Sequence, residues 1–204
     1  MPTKKPAARK PARKKKAGGV RMRTARVRRA AQKAPKRVRS VPAGYHTITP
    51  HIMLDDCAGA IEFYKKALGA KERGRMQGPD GKIVHAEIQL GDSIVMMNDE
   101  MPPMQPGTPG VYKSPRTAGL VTGALFLYVA NVDAVFARAV KAGCVVRQAP
   151  TNMFWGDRYG VVIDPFGHTW SFATHVEDVS RKEMEKRQRE LYAAMQPGAG
   201  SKPS

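Results

Sequence analysis

Trp155–Trp170 reads WGDRYGVVIDPFGHTW, two short runs broken by Asp164-Pro165-Phe166-Gly167. Asp first, Pro second and Gly fourth are the residues of a type I turn closed by a left-handed glycine. Such a turn sets the register of the hairpin it joins. It predicts Asp164 opposite His168, Ile163 opposite Thr169, Val162 opposite Trp170, Val161 opposite Ser171, Gly160 opposite Phe172 and Tyr159 opposite Ala173. Side chains alternate between the two faces of a strand. One face then carries Tyr159, Val161, Ile163, Thr169 and Ser171. Val162, Trp170 and Phe172 take the other face and are expected to pack on helices, with Gly160 leaving room opposite Phe172. Trp155 and Asp157 continue the Tyr159 face unless a bulge at Gly156 resets the alternation. Arg158 falls on the far side, where an acid would pair with it. Asp164 and His168 flank the turn and read as a hairpin clasp, not as an acid–base couple.

Working back from this hairpin, the same order of elements occurs twice. ALFLYVA reads as a strand, NVDAVFARAVKAG as a helix capped by Asn131 and stopped by Gly143, and CVVRQAP as a further strand. Earlier, YHTITPHIMLDD alternates like a strand. CAGAIEFYKKALGAK spaces Ile61, Phe63 or Tyr64, and Leu68 as a helix does, with Gly69 as its stop. GKIVHAEIQLGDSIVMMND is two alternating runs joined by the two-residue signal Gly91-Asp92. Ile61 and Gly69 recur as Val135 and Gly143. The chain therefore reads β-α-β-β-β twice, an α+β fold with modules at 45–100 and 122–178. The Pro- and Gly-rich stretch 99–122 between them reads as a linker or a loop over a pocket. Ser180 and Glu183 form a capping box that opens a last helix to about residue 195. Met184, Leu191 and Met195 share one side of it, which is expected to pack on the body or on a partner subunit. The region 179–204 is thus a helix and a frayed tail.

Charge is unevenly placed. Residues 1–40 hold 17 Lys or Arg and no acid, leaving 18 basic against 17 acidic residues in the other 164. The formal net charge of +18 thus belongs to an arm, and the body is nearly neutral. The arm, residues 1–42, has almost nothing to bury and is expected to be disordered. Its Lys/Ala/Pro composition resembles the tails of linker histones and bacterial histone-like proteins. A dense polycation over residues 4–39 binds nucleic acid by releasing counterions, without reading sequence. A merely solvated extension has the same composition. Cys57 and Cys144 stand far apart, so neither a zinc knuckle nor a disulfide framework is expected. Neither an apolar membrane run nor a secretory h-region is present, and a cytoplasmic protein, with nucleoid association through the arm, is the expectation.

TPHIMLDDCAGAIEFYKKALGAKE, GKIVHAEIQLGDSIVMMNDE and FWGDRYGVVIDPFGHTWSF together resemble the vicinal oxygen chelate superfamily, which includes glyoxalases, bleomycin-resistance proteins and dioxygenases. They are most similar to its PhnB-like subgroup. The resemblance covers about residues 45–178. It implies that the two βαβββ modules form a cupped mixed sheet around a cleft, and that the chain forms homodimers. In the family's glyoxalases, one ligand from the first and one from the last strand of each module holds a divalent metal. Those positions fall here at Thr49, Met96, Ala124 and Ser171. A thioether and a methyl group do not hold a hard cation. Lactoylglutathione lyase activity and a cofactor are therefore not expected.

Parity places further residues on the cleft face. His51 shares it with Thr49, and the Gly91-Asp92 turn brings Glu87 opposite Met96 and His85 opposite Asn98. His51, His85, Glu87 and Asn98 are candidate polar lining, with Glu87 a candidate base. The alternative is a relocated divalent metal on His51, His85 and Glu87, serving a lyase, dioxygenase or transferase. In the second module Phe126 and Tyr128 join Trp155, Asp157, Tyr159 and Ser171 as a stacking wall. That pattern fits a binding protein for a planar or hydrophobic small molecule. Whether the chain is an enzyme stays open.

Overall fold

A computed structural model describes residues 39–102 and 112–195. Nearly all of the basic arm and the tail after Met195 lie outside the described residues. The first module runs β1 (His51–Leu54), α1 (Cys57–Leu68), β2 (Lys71–Gln77), β3 (Ile83–Leu90) and β4 (Ser93–Asp99). A short helix α2 (Pro115–Ala118) precedes the second, which runs β5 (Ala124–Tyr128), α3 (Val132–Ala142), β6 (Val145–Asn152), β7 (Asp157–Ile163) and β8 (Thr169–His175). Helix α4 (Arg181–Met195) follows. The fold is α+β, as the repeated order predicts. The strands form two four-stranded mixed sheets, β1-β4-β3-β2 and β5-β8-β7-β6, with only the outer pairs β1·β4 and β5·β8 parallel.

Each helix is where its caps put it. Asp56 accepts from the Gly59 amide at the start of α1, and Gly69 closes it with φ +72°. Asn131 accepts from the Ala134 amide at the start of α3. The Ser180 hydroxyl accepts from the Glu183 amide at 3.3 Å, which opens α4.

Both turns impose the predicted registers. Leu90 pairs with Ser93 and Glu87 with Met96 across Gly91-Asp92. Tyr159 pairs with Ala173, Val161 with Ser171 and Ile163 with Thr169 across the second turn. The Asp164 amide donates to the His168 carbonyl at 2.9 Å.

Burial follows parity. Ala86, Ile88 and Leu90 face the core from β3, and Val162, Trp170 and Phe172 face it from the second hairpin. The space at Gly160 is filled from α3: a methyl there would lie 3.0 Å from the Phe136 ring, so the helix occupies the room expected opposite Phe172. Helices α1 and α3 pack against each other and join the modules. Tyr64 on α1 lies against Phe166 and Trp170 of the second module.

The turn differs from the clasp expected of it. Asp164 accepts from Trp170 Nε1 at 2.9 Å, from Tyr64 Oη at 2.7 Å, and from the Phe166 and His168 amides at 2.9 Å each. The His168 ring turns away to the Met53 carbonyl at 3.0 Å. Both residues thus bind the modules together, because a buried carboxylate needs more donors than one imidazole can give.

The described ends of the linker 99–122 are tied to the body. Ser114 caps α2, and the Ser114 amide and Thr117 hydroxyl both donate to Glu100. Arg116 pairs with Asp55, donates to the Pro165 carbonyl at 3.1 Å and lies over the Phe166 ring. Residues 103–111 lie outside the described residues.

Candidate functional site

The face of the first sheet turned away from the helices carries a polar group. His51 pairs in register with Met96, and its Nε2 lies 2.6 Å from Asn98 Oδ1. His85 Nε2 lies 3.1 Å from Glu87 Oε1, and the His51 and His85 rings stand 6.5 Å apart. The four candidates named from parity therefore share one face. Two further residues join them. Tyr45 donates its hydroxyl to Glu87 Oε1 at 2.5 Å, and Arg73 Nε lies 3.8 Å from Glu87 Oε2 with its guanidinium over the Tyr45 ring.

Arg73 follows Glu72, which opposes Ile88 on the helix side, and so takes this face by ordinary alternation. The pairing of β2 with β3 then shifts, so that Gly74 opposes Glu87. The strand bulges at Arg73–Gly74, and the inserted residue turns Arg75 to the helix side. Glu72 and Arg75 meet at 2.6 Å on the helix side although three residues apart, which an unbroken strand forbids.

These donors set the chemistry of Glu87. Chiefly the Tyr45 hydroxyl, helped by His85 and Arg73, holds its carboxyl below the ordinary range. The bonds on its Oε1 fix the Tyr45 hydroxyl and the His85 ring on this face. Burial pushes Cys57 and Cys144 up to about 12, so both stay as thiols and neither offers a nucleophile.

The corresponding face of the second sheet is aromatic. Phe126 stacks on Tyr159 with ring centres 5.6 Å apart and planes 19° from parallel. Tyr128 lies 5.0 Å from Phe126, and Trp155 meets Tyr159 edge-on at 5.7 Å. Phe126 is 50% exposed and Tyr128 63% exposed, so ring surface is open.

Asp157 lies beneath at 3% exposure. Its Oδ2 accepts from Tyr128 Oη and Trp155 Nε1 at 3.0 Å each, and its Oδ1 lies 2.8 Å from His175 Nδ1. The hydrogen bond to Asp157, then that to Asp178, raises the His175 pKa, and the bond to Asp157 raises that of Tyr128. All six second-module candidates therefore converge, Ser171 included, through the Tyr159 hydroxyl at 3.0 Å. Arg158 pairs with Asp133 on the other side.

His175 is a residue that sequence reasoning passed over. Extending the hairpin register two steps beyond Tyr159–Ala173 would have placed it opposite Asp157.

Two of the positions at which glyoxalases hold metal are occupied otherwise. Thr49 lies before β1 and its hydroxyl bonds the His46 carbonyl, and Ser171 bonds Tyr159. Among the described residues, no three His, Cys, Asp or Glu side chains gather as a metal would require. His51, His85 and Glu87 share a face without forming such a group. A cavity of about 360 Å³ separates the edge strands β1 and β5, lined among others by His51, Ala124, His168 and Thr169. The Thr169 hydroxyl is buried with no partner among the described residues. No hydrogen bond or ring contact links the polar group to the aromatic group.

The description "Glyoxalase/Bleomycin resistance protein/Dioxygenase superfamily" matches residues 45–172, and the chain belongs to that family. An uncharacterised protein of Mycobacterium tuberculosis strain H37Rv is 44% identical over 138 residues, covering 68% of this chain and 79% of that protein. An uncharacterised protein of Arabidopsis thaliana is 32% identical over 123 residues, covering 56% and 69%. Among solved structures, TioX from Micromonospora sp. ML1 is similar at 26% identity and a TM-score of 0.51, covering 63% of this chain and 98% of TioX. No described helix is long and apolar enough to cross a membrane.

Proposed function

We propose that this chain binds a small planar molecule on the aromatic face of its second module, without the metal site of the glyoxalases. The observation that carries the reading is the open stack of Phe126, Tyr128 and Tyr159, with Tyr128 held by Asp157 and Tyr159 by Ser171. Exposed aromatic surface is costly unless something covers it. Asp157 holds the Tyr128 and Trp155 rings in one orientation, which lowers the entropy lost when a ligand stacks on them. Ala124, at the position of a family metal ligand, supplies no donor atom.

The cleft is completed by a second copy, so that the polar face of one module meets the aromatic face of another. Support comes from the open ring surface, with Phe126 50% and Tyr128 63% exposed, which a second copy's face would cover. The basic arm, residues 4–39, adds non-specific attachment to nucleic acid.

The test is a thermal-shift screen of planar aromatic compounds on purified protein, with and without added divalent metals, beside elemental analysis. Stabilisation by planar compounds without metal, lost in Phe126→Ala, is the expected result. Stoichiometric metal in the purified protein, lost in His51→Ala, would replace this reading with a metal enzyme built on His51, His85 and Glu87.

A further inference from the structure

Arg73 is placed with unusual care for a residue that bonds nothing. It donates no hydrogen bond within 3.5 Å among the described residues. Its charge contacts there are the Tyr45 ring, 5.3 Å from the guanidinium carbon, and Glu87 Oε2 at 3.8 Å from Nε. Its side chain is 33% exposed.

A guanidinium on an open surface ordinarily moves freely. This one is fixed three ways. Alternation from Glu72 puts it on the candidate face, Tyr45 supports one side of its plane, and Glu87 sets its inner edge. Glu87 takes Tyr45 at 2.5 Å and His85 at 3.1 Å on Oε1, while its Oε2 stands 3.8 Å from Arg73 Nε, beyond hydrogen-bond reach. The outer N–H groups of the fork are left oriented and unused. A rigid, unspent guanidinium fork matches the paired oxygens of a carboxylate or a phosphate. His85 stands beside it, one nitrogen engaged by Glu87.

We propose that Arg73, supported by Tyr45 and Glu87 and flanked by His85, is an anion-recognition subsite, and that the ligand is a planar aromatic acid. This deepens the reading above and rests on it, the second copy included: the rings of one copy's second module take the planar part, and Arg73 of the other copy takes the carboxylate or phosphate. Arg73 is the residue that sets specificity, and Glu87 and Tyr45 are positioning residues. Glu87 also repels an anion that comes too near, which confines the bound group to the outer edge of the fork.

Calorimetric titration of the full chain with 2-naphthoate, 2-naphthyl phosphate and neutral 2-naphthamide tests the subsite. The three probes share one ring system and differ in charge. At least one acid is expected to bind about tenfold tighter than the amide, as a charge-assisted pair gives. Arg73→Gln should bring that ratio to about one, and Arg73→Lys, which keeps the charge but not the fork, should leave it intermediate. The acid with the larger ratio identifies the anion as carboxylate or phosphate. Equal affinity for all three probes in the unmutated protein, or a ratio untouched by Arg73→Gln, overturns the subsite alone. Binding of none of them overturns the planar-ligand reading and the subsite with it.

Discussion

Two carboxylates organise the candidate faces. Glu87 carries Tyr45 and His85, and Asp157 carries Tyr128, Trp155 and His175. The consequence for pH has opposite signs at His175 and at Glu87. His175 titrates above its ordinary value, so its contribution to stability is complete below about pH 6.5 and is lost as pH rises through the folded value. Glu87 titrates below the ordinary value, so its contribution is present above about pH 4.3 and is lost as pH falls through the folded value. NMR titration of the His175 ring should give a pKa above that of free histidine, and Asp157→Asn should bring it back down. An unshifted His175 in the unmutated protein would dissolve the pair. In the core, Tyr64→Phe removes one of the donors to Asp164 across the modules. It is expected to cost about 1–3 kcal/mol by denaturant unfolding, since the bond is buried and ends on a carboxylate.

At the scale of elements, turns were legible and irregular strands were not. Gly91-Asp92 and Asp164–Gly167 carry their geometry in their own residues, so both registers and the facing of every residue in them could be read directly. The strand β2 has no such signal. Its KERGRMQ is mostly charged, with no alternation of apolar residues to mark a strand, and the bulge that redirects Arg75 exists only in relation to β3. Arg73 was missed because the run carries no strand signal, and Tyr45 because it reaches Glu87 from outside any strand. The candidate site was legible where apolar alternation or a turn marked the strands and was lost where neither did.

The bend at Gly156 makes the same point from the other side. Its φ of +99° and a methyl that would sit 2.1 Å from the Glu177 carbonyl oxygen leave no room for a side chain. Yet Trp155 and Asp157 stay on the Tyr159 face. Gly156→Ala should destabilise the protein by more than about 1 kcal/mol and displace Trp155, visible as a change in its fluorescence.

At the scale of the molecule, the chain presents a neutral body and a cationic arm, and two faces that do not touch each other. If a second copy brings the faces together, sedimentation should give a dimer, and a planar aromatic ligand should tighten it. The role proposed for the arm is tested separately. Removing residues 1–38 should abolish salt-sensitive retention on DNA while leaving ligand binding intact, and unchanged retention would remove the arm from the account.

The central claim is that the aromatic face, and not a metal, holds the ligand. Titration of chelator-treated protein with the naphthalene probes, followed by calorimetry, tests it most directly. The account predicts saturable binding to metal-free protein, weakened about tenfold or more by Phe126→Ala, as loss of an aromatic stack implies. Binding that appears only after a divalent metal is restored, and that Phe126→Ala leaves unchanged, would contradict it.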